Sequence, residues 1–325
     1  MKEFMKKHTL LFVVLVAAFA LCTNLITGYV QNFFSNNLTM FYLAEAVCKY
    51  SISFVPLCIM VKWGYTKKSN KKKIAVGFAI GALFILFGAP NVLPLVLVNP
   101  ILFKVQWALL LALILDMFSV GLLEEAAIRG VVLPLLCEKW EDKKNVYWKA
   151  AVVSSLLFGC IHLNWSVRYF LTYGTLSWDY LSGNLYQVYY TFCFGILAAG
   201  VTIYTKSILP MVFWHGICDL SAAIVYGILP LNTVENYNNN NILTLQNVFN
   251  TYGIFAGCKF GVEIILGIIN LLFIVIGAVL IKKAENRGGI IHSLFFGGGS
   301  SDAPSTDFAG RRTYAENVWR RVCVL

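Results

Sequence analysis

The chain has 325 residues, of which 58% are hydrophobic and 13% charged, and its net charge is +10. A soluble domain carries roughly 25% charged residues, so the balance excludes an ordinary pair of soluble domains. The positive charge does not point to nucleic acid, because the basic residues sit in short connections between apolar runs, as the positive-inside pattern requires.

Repeated apolar runs of about 20 residues predict an all-α, polytopic integral membrane protein. The short alternating segments of a membrane barrel are absent. Eight spans are expected, over 8–30, 39–61, 74–98, 105–137, 149–164, 185–205, 207–229 and 258–281. Nine cysteines are scattered without a CxxC pair, which argues against a disulfide framework and against a zinc cluster.

Lys2, Lys6 and Lys7 precede the first apolar stretch, Thr9 to Ile26. Ala18-Phe19-Ala20 resembles a signal cleavage site, but the run continues to spanning length, so an uncleaved first helix is expected. In the second run Glu45 and Lys49 are four apart in the favourable order for a helical ion pair. Pro90, Pro94 and Pro100 break the end of the third run, whose last part reads as interfacial. The fourth run would reach about 50 Å as a helix, so it must tilt, bend near Gly121 or project from the bilayer.

That fourth run carries Glu124, Glu125 and Arg129 among Leu, Ile and Ala. A charge in the middle of a membrane helix costs at least a few kcal/mol, so it needs partners and usually marks function. Glu124 and Glu125 point about 100° apart on a helix, so they do not face one site equally. Arg129, one turn on, is placed to hold Glu125. The fifth run closes on Phe158 and His162, and the seventh holds His215 and Asp219, four apart and on one helix face. Asp116 and Glu263 have no evident partner in sequence.

Counting from the basic end of each run puts Glu124, His162, His215 and Asp219 at depths of roughly 21, 20, 14 and 20 Å. Taken singly, a membrane histidine is often only a hydrogen-bonded structural residue. Glu125 and Arg129 could equally be an ion pair that permits burial. The common depth on three helices favours a site.

Beyond the seventh span, Leu231 to Tyr252 is rich in asparagine, and after Phe296 a Gly/Ser stretch opens a flexible tail. Cys323 is third from the end, so the tail is not a CaaX box. With the N-terminus inside, 17 basic residues fall in inner segments and three in outer ones, which predicts that both ends are cytosolic. The organisation expected is N-terminal membrane helices to residue 104, a core over 105–229, an outer loop and last helix over 230–287, and a tail over 288–325.

The EExxxR, FxxxH and HxxxD patterns, in this order, resemble the CPBP family of intramembrane proteases, which groups CAAX prenyl endopeptidases with bacteriocin-processing and bacteriocin-immunity proteins. The resemblance covers about residues 105–229. It implies peptide-bond hydrolysis at the membrane. Glu124 with His162 would activate a water, and His215 with Asp219 would stabilise the oxyanion. Arg129 would pair with Glu125, and Phe158 would pack. Asn is common in the family where Asp219 stands, so Asp219 would donate as the acid or else orient His215.

A metal-free glutamate mechanism with no cofactor is expected. Zinc held by Glu124, His162 and His215 is the alternative the family leaves open. The expected partners are the bilayer and a small membrane-associated peptide or protein. The Lys-, Asn- and Ile-heavy composition suits a bacterial plasma membrane. The competing readings are a non-proteolytic immunity or scaffold protein of the same fold, and a transporter. The transporter is disfavoured because no internal repeat is visible.

Overall fold

The computed structural model describes residues 7–34, 37–62, 71–82, 107–141, 143–176, 178–227 and 259–286. Among them the chain is all-α, without strands. The helices are α1 (Thr9–Phe33), α2 (Leu38–Lys62), α3 (Lys71–Gly81), α4 (Trp107–Ala127), α5 (Leu133–Lys139), α6 (Val146–Ile161), α7 (Asn164–Tyr173), α8 (Trp178–Thr205), α9 (Leu209–Gly227) and α10 (Lys259–Glu285). A π-helical segment, Ile128–Val132, joins α4 to α5. Four stretches are long and apolar enough to cross a membrane: Leu38–Lys62, Trp107–Lys139, Gln187–Thr205 and Gly267–Glu285. The protein is an integral membrane protein. The three prolines after the third run, the asparagine-rich loop and the tail lie outside the described residues.

The long fourth run does not bend at Gly121. It stays helical to Ala127 and then widens into the π segment, where the Leu133 N–H bonds to the Ile128 carbonyl five residues back. Pro134 explains the place. It has no N–H to give the Gly130 carbonyl, and its ring crowds that turn, so the ladder loosens just before it. The whole of Leu123–Glu138 is buried, including Arg129 at 1% exposure.

Gly121 has another use. A Cβ there would lie 2.9 Å from the Val212 carbonyl oxygen and 3.0 Å from the Gly216 nitrogen, so its absence lets α4 and α9 cross almost backbone to backbone. Gly200 and Gly277 do the same for α8 and α10, each facing backbone of the other helix. Trp214 Nε1 donates to the Phe78 carbonyl at 2.8 Å and ties α9 to α3. The core formed by α4–α5, α6, α8 and α9 thus sits inside a partial jacket of α1, α2, α3 and α10.

Helix α7 was not anticipated. It begins two residues after His162, is amphipathic, and ends on Gly174 in the left-handed conformation with φ 70°. Its start is pinned by Asn184 of α8, whose Oδ1 accepts the Ser166 backbone N–H at 2.8 Å and the Ser166 hydroxyl at 2.7 Å.

Candidate active site

The π segment and the α4–α9 crossing decide which polar side chains meet. Glu125 is fully buried, and its Oε1 accepts from Arg129 Nη1 at 3.2 Å. The same oxygen faces His215 Nδ1 at 3.0 Å, and with a carboxylate as acceptor that nitrogen carries the proton. One oxygen therefore fixes two side chains, one on its own helix and one on α9.

Glu124 points elsewhere, as its helical offset from Glu125 requires. Its Oε2 lies 3.7 Å from His215 Nε2 and 3.9 Å from His162 Nε2. It is buried and has no hydrogen-bond partner among the described residues. His162 caps the end of α6, with φ −81° and ψ 1°. Its Nδ1 sits 2.9 Å from the Phe158 carbonyl, and a carbonyl only accepts, so that nitrogen is the donor. Neutral His162 consequently turns the bare lone pair of Nε2 toward Glu124. Asp219, partly exposed, lies 3.5 Å from His215 Nε2 through its Oδ2.

The seven residues singled out in sequence thus come together: Glu124, Glu125, Arg129, Phe158, His162, His215 and Asp219. Phe158 does more than fill space. Its ring stands 4.1 Å from the Arg129 Cζ, a cation–π contact for a guanidinium whose Nε and Nη2 have no hydrogen-bond partner among the described residues. The same ring meets His162 and His215 edge-on, at 5.0 and 5.8 Å between centroids.

One member was missed. Phe194 of α8 stacks on Phe158 at 5.8 Å and packs against His215 at 5.0 Å. Nothing in sequence separates it from the chain's other phenylalanines.

A second polar cluster lies on the α2–α4 interface. Lys49 pairs with Glu45 at 2.5 Å, as its spacing suggested, and also with Asp116 at 3.3 Å. All three are buried. This gives Asp116 the partner that was not visible in sequence. The side chain of Glu263 lies outside the described residues.

Comparison with known families matches the model of Type II CAAX prenyl endopeptidase Rce1-like proteins over residues 105–221. Comparison with curated proteins and with solved structures gives no match. The matched segment runs from the start of α4 through the first two-thirds of α9, so it contains every carboxylate, imidazole and aromatic ring described around Glu124. Residues 105–221 of this integral membrane protein are thus similar to the Rce1-like, type II CAAX prenyl endopeptidase family.

Proposed function

We propose that the protein is an intramembrane endopeptidase that hydrolyses a peptide bond in a small membrane-associated peptide or protein with a water activated by Glu124 and His162. The observation that carries this reading is the unpartnered, buried Oε2 of Glu124, which faces two imidazole Nε2 atoms at 3.7 and 3.9 Å. A carboxylate oxygen and a bare imidazole nitrogen are both acceptors. A water between Glu124 and His162 donates one hydrogen to each and presents its lone pair outward.

Glu124 takes the proton as that water attacks the scissile carbonyl, and returns it to the leaving amine. His215 stabilises the oxyanion. Glu125 fixes the His215 ring through Nδ1, and Arg129 keeps Glu125 in place. In the resting site Asp219 orients the ring at Nε2, and the Nε2 proton turns from that contact to the oxyanion as it forms. Bilayer and substrate peptide are the partners in this reading.

Zinc is the group the family resemblance leaves open. A tetrahedral zinc set with bonds of 2.0–2.1 Å brings its donor atoms to roughly 3.4 Å of one another. Glu124 Oε2 stands farther than that from both imidazoles, and among the described residues no group of three His, Cys, Asp or Glu is arranged to hold an ion. The donors as placed do not fit, and the mechanism routes no step through a metal.

The test is cleavage of candidate membrane peptides by purified wild type, Glu124→Ala and His162→Ala in proteoliposomes. Loss of roughly 10²-fold or more is expected in both variants. Equal cleavage by all three proteins removes the assignment. Wild-type activity lost in a strong chelator and restored by zinc replaces the metal-free mechanism with a metal-dependent one.

The topology belongs to the same proposal. Eight spans with both ends cytosolic, in a bacterial plasma membrane, accommodate the basic-residue count. The N-terminal helices to residue 104 and the last helix flank a catalytic core over 105–229.

A further inference from the structure

At the bilayer face where α3 begins and α8 and α10 end, two helices bring cations to one aromatic ring on a third. Lys73 of α3 and Lys283 of α10 place their ammoniums 5.6 and 5.7 Å from the centroid of Tyr204 on α8. Tyr204 is itself only 8% exposed. The convergence is built into the backbone. The α8–α10 crossing at Gly200 and Gly277 lies one turn before Tyr204 and Ile281, and Gly77 of α3 packs on Thr205. Beside it, Ala278, Val279, Lys282, Lys283 and Asn286 line an open groove of about 610 Å³.

Among the described residues of this corner, Lys73, Lys282 and Lys283 outnumber the acidic Glu285, whose electrostatic neighbours include Lys282 and Tyr147. Two ammoniums within about 6 Å of one ring centroid concentrate positive charge at this corner, and a bound anion relieves it. The groove has an apolar floor at Ala278 and Val279 and a cationic and amide rim at Lys282, Lys283 and Asn286. That order matches a lipid, with acyl chain along the helix and phosphate at the water interface. Basic pockets between membrane helices commonly hold anionic headgroups in this way.

We propose that the Lys73–Tyr204–Lys283 corner and the adjoining groove of α10 form a binding site for one anionic glycerophospholipid. The phosphate pairs with the lysine ammoniums, and an acyl chain follows Ala278 and Val279. The lipid bridges α3, α8 and α10, so it clamps the jacket onto the core. The proposal does not depend on proteolysis, because none of these residues belongs to the site around Glu124.

The full chain, purified in detergent, is titrated with phosphatidylglycerol, with phosphatidylcholine and with inorganic phosphate, while its melting temperature and its lipid adducts in native mass spectrometry are followed. Phosphatidylglycerol should raise the melting temperature and leave one retained lipid, and the other two ligands should do neither. Lys73→Gln with Lys283→Gln should weaken phosphatidylglycerol binding about tenfold or more. Lys139→Gln, an exposed lysine ending α5, should leave it unchanged, and Lys283→Arg alone should retain it. Equal stabilisation by phosphatidylcholine, or by inorganic phosphate, overturns the proposal. So does an equal loss in Lys139→Gln, which would reduce the effect to general surface charge. If the double variant does not fold, the single Lys73→Gln and Lys283→Gln proteins decide: unchanged affinity in both overturns the site.

Discussion

A single carboxylate oxygen, Oε1 of Glu125, holds both Arg129 at 3.2 Å and His215 at 3.0 Å, while the neighbouring Glu124 has an oxygen with no hydrogen-bond partner among the described residues. The two glutamates should therefore fail in different ways. Glu125→Gln leaves the guanidinium of Arg129 without its counter-charge at 1% exposure, and breaking a buried pair this way costs about 3–5 kcal/mol. Its thermal unfolding midpoint should drop well below that of the wild type. Glu124→Gln removes no ion pair on which burial depends. Its midpoint should stay near wild type while cleavage is lost, and a Glu124→Gln protein that cleaves normally would remove Glu124 from the chemistry. At Asp219 the geometry allows a sharper test. Its carboxylate stands 3.5 Å from His215 Nε2, a place an amide oxygen fills as well. Asp219→Asn should retain activity within about tenfold, whereas Asp219→Ala should lose about 10²–10³-fold if the group orients or donates in the transition state. The site's membership was legible in sequence because charge is costly in a membrane helix and counting along three helices gives depth. The Glu125–His215 bond was not legible. Depth says how far along a helix a residue lies, and only the rotation of α9 at the Gly121–Gly216 crossing says which carboxylate meets which ring nitrogen. Phe194 was hidden for the same reason, because hydrophobicity alone does not say which ring faces inward.

At the scale of elements, α2 and α4 are held by the buried Glu45–Lys49–Asp116 cluster as well as by apolar packing. Ser119 completes it, donating its hydroxyl to the Asp116 carbonyl at 2.6 Å. Lys49→Ala should be strongly destabilising, on the order of 3–5 kcal/mol, because it strands two buried carboxylates. Replacing all three ionisable residues together by apolar side chains of similar size should cost much less, since the desolvation penalty leaves with the charges. Unfolding of the single and triple variants in one detergent checks this, and a triple variant weaker than Lys49→Ala would show that the cluster gives more than mutual neutralisation. The i,i+4 half of this cluster was readable from spacing, while Asp116 was not, since its partner lies 67 residues away. Most apolar runs became helices near the expected bounds for an equally local reason, the need of each backbone group in lipid for an intrahelical partner. The exceptions follow from single residues. Pro134 moved the irregularity of the fourth run from Gly121 to the π segment. The mixed polar and aromatic stretch after His162 carried no spanning-length hydrophobic run, so α7 gave no signal of the kind that revealed the others.

For the molecule as a whole, α6 and α7 decide the orientation of the site. Helix α6 has 16 residues, about 24 Å, slightly less than the hydrocarbon core of a bilayer. It starts beside exposed Lys143 and Lys144 and ends at His162, and α7 follows at once. Lysines gather at the start of α6. At its far end, α7 and the turn after it expose Phe170, Tyr173, Leu176 and Trp178, the aromatic content of a bilayer–water interface. If both ends of the chain are cytosolic, Lys144 is cytosolic and Tyr173 lies at the opposite surface. The Glu124 site then sits closer to the α7 side, because His162 caps that end of α6. Single cysteines at Lys144 and Tyr173, in a chain otherwise freed of cysteine, should separate the two surfaces. A membrane-impermeant maleimide should label Tyr173→Cys in intact cells and Lys144→Cys only after permeabilisation. The reverse pattern would invert the protein and place the site toward the cytosolic surface. Labelling of both positions from one side would mean that α6 does not cross the bilayer, and the count of eight spans would fall with it.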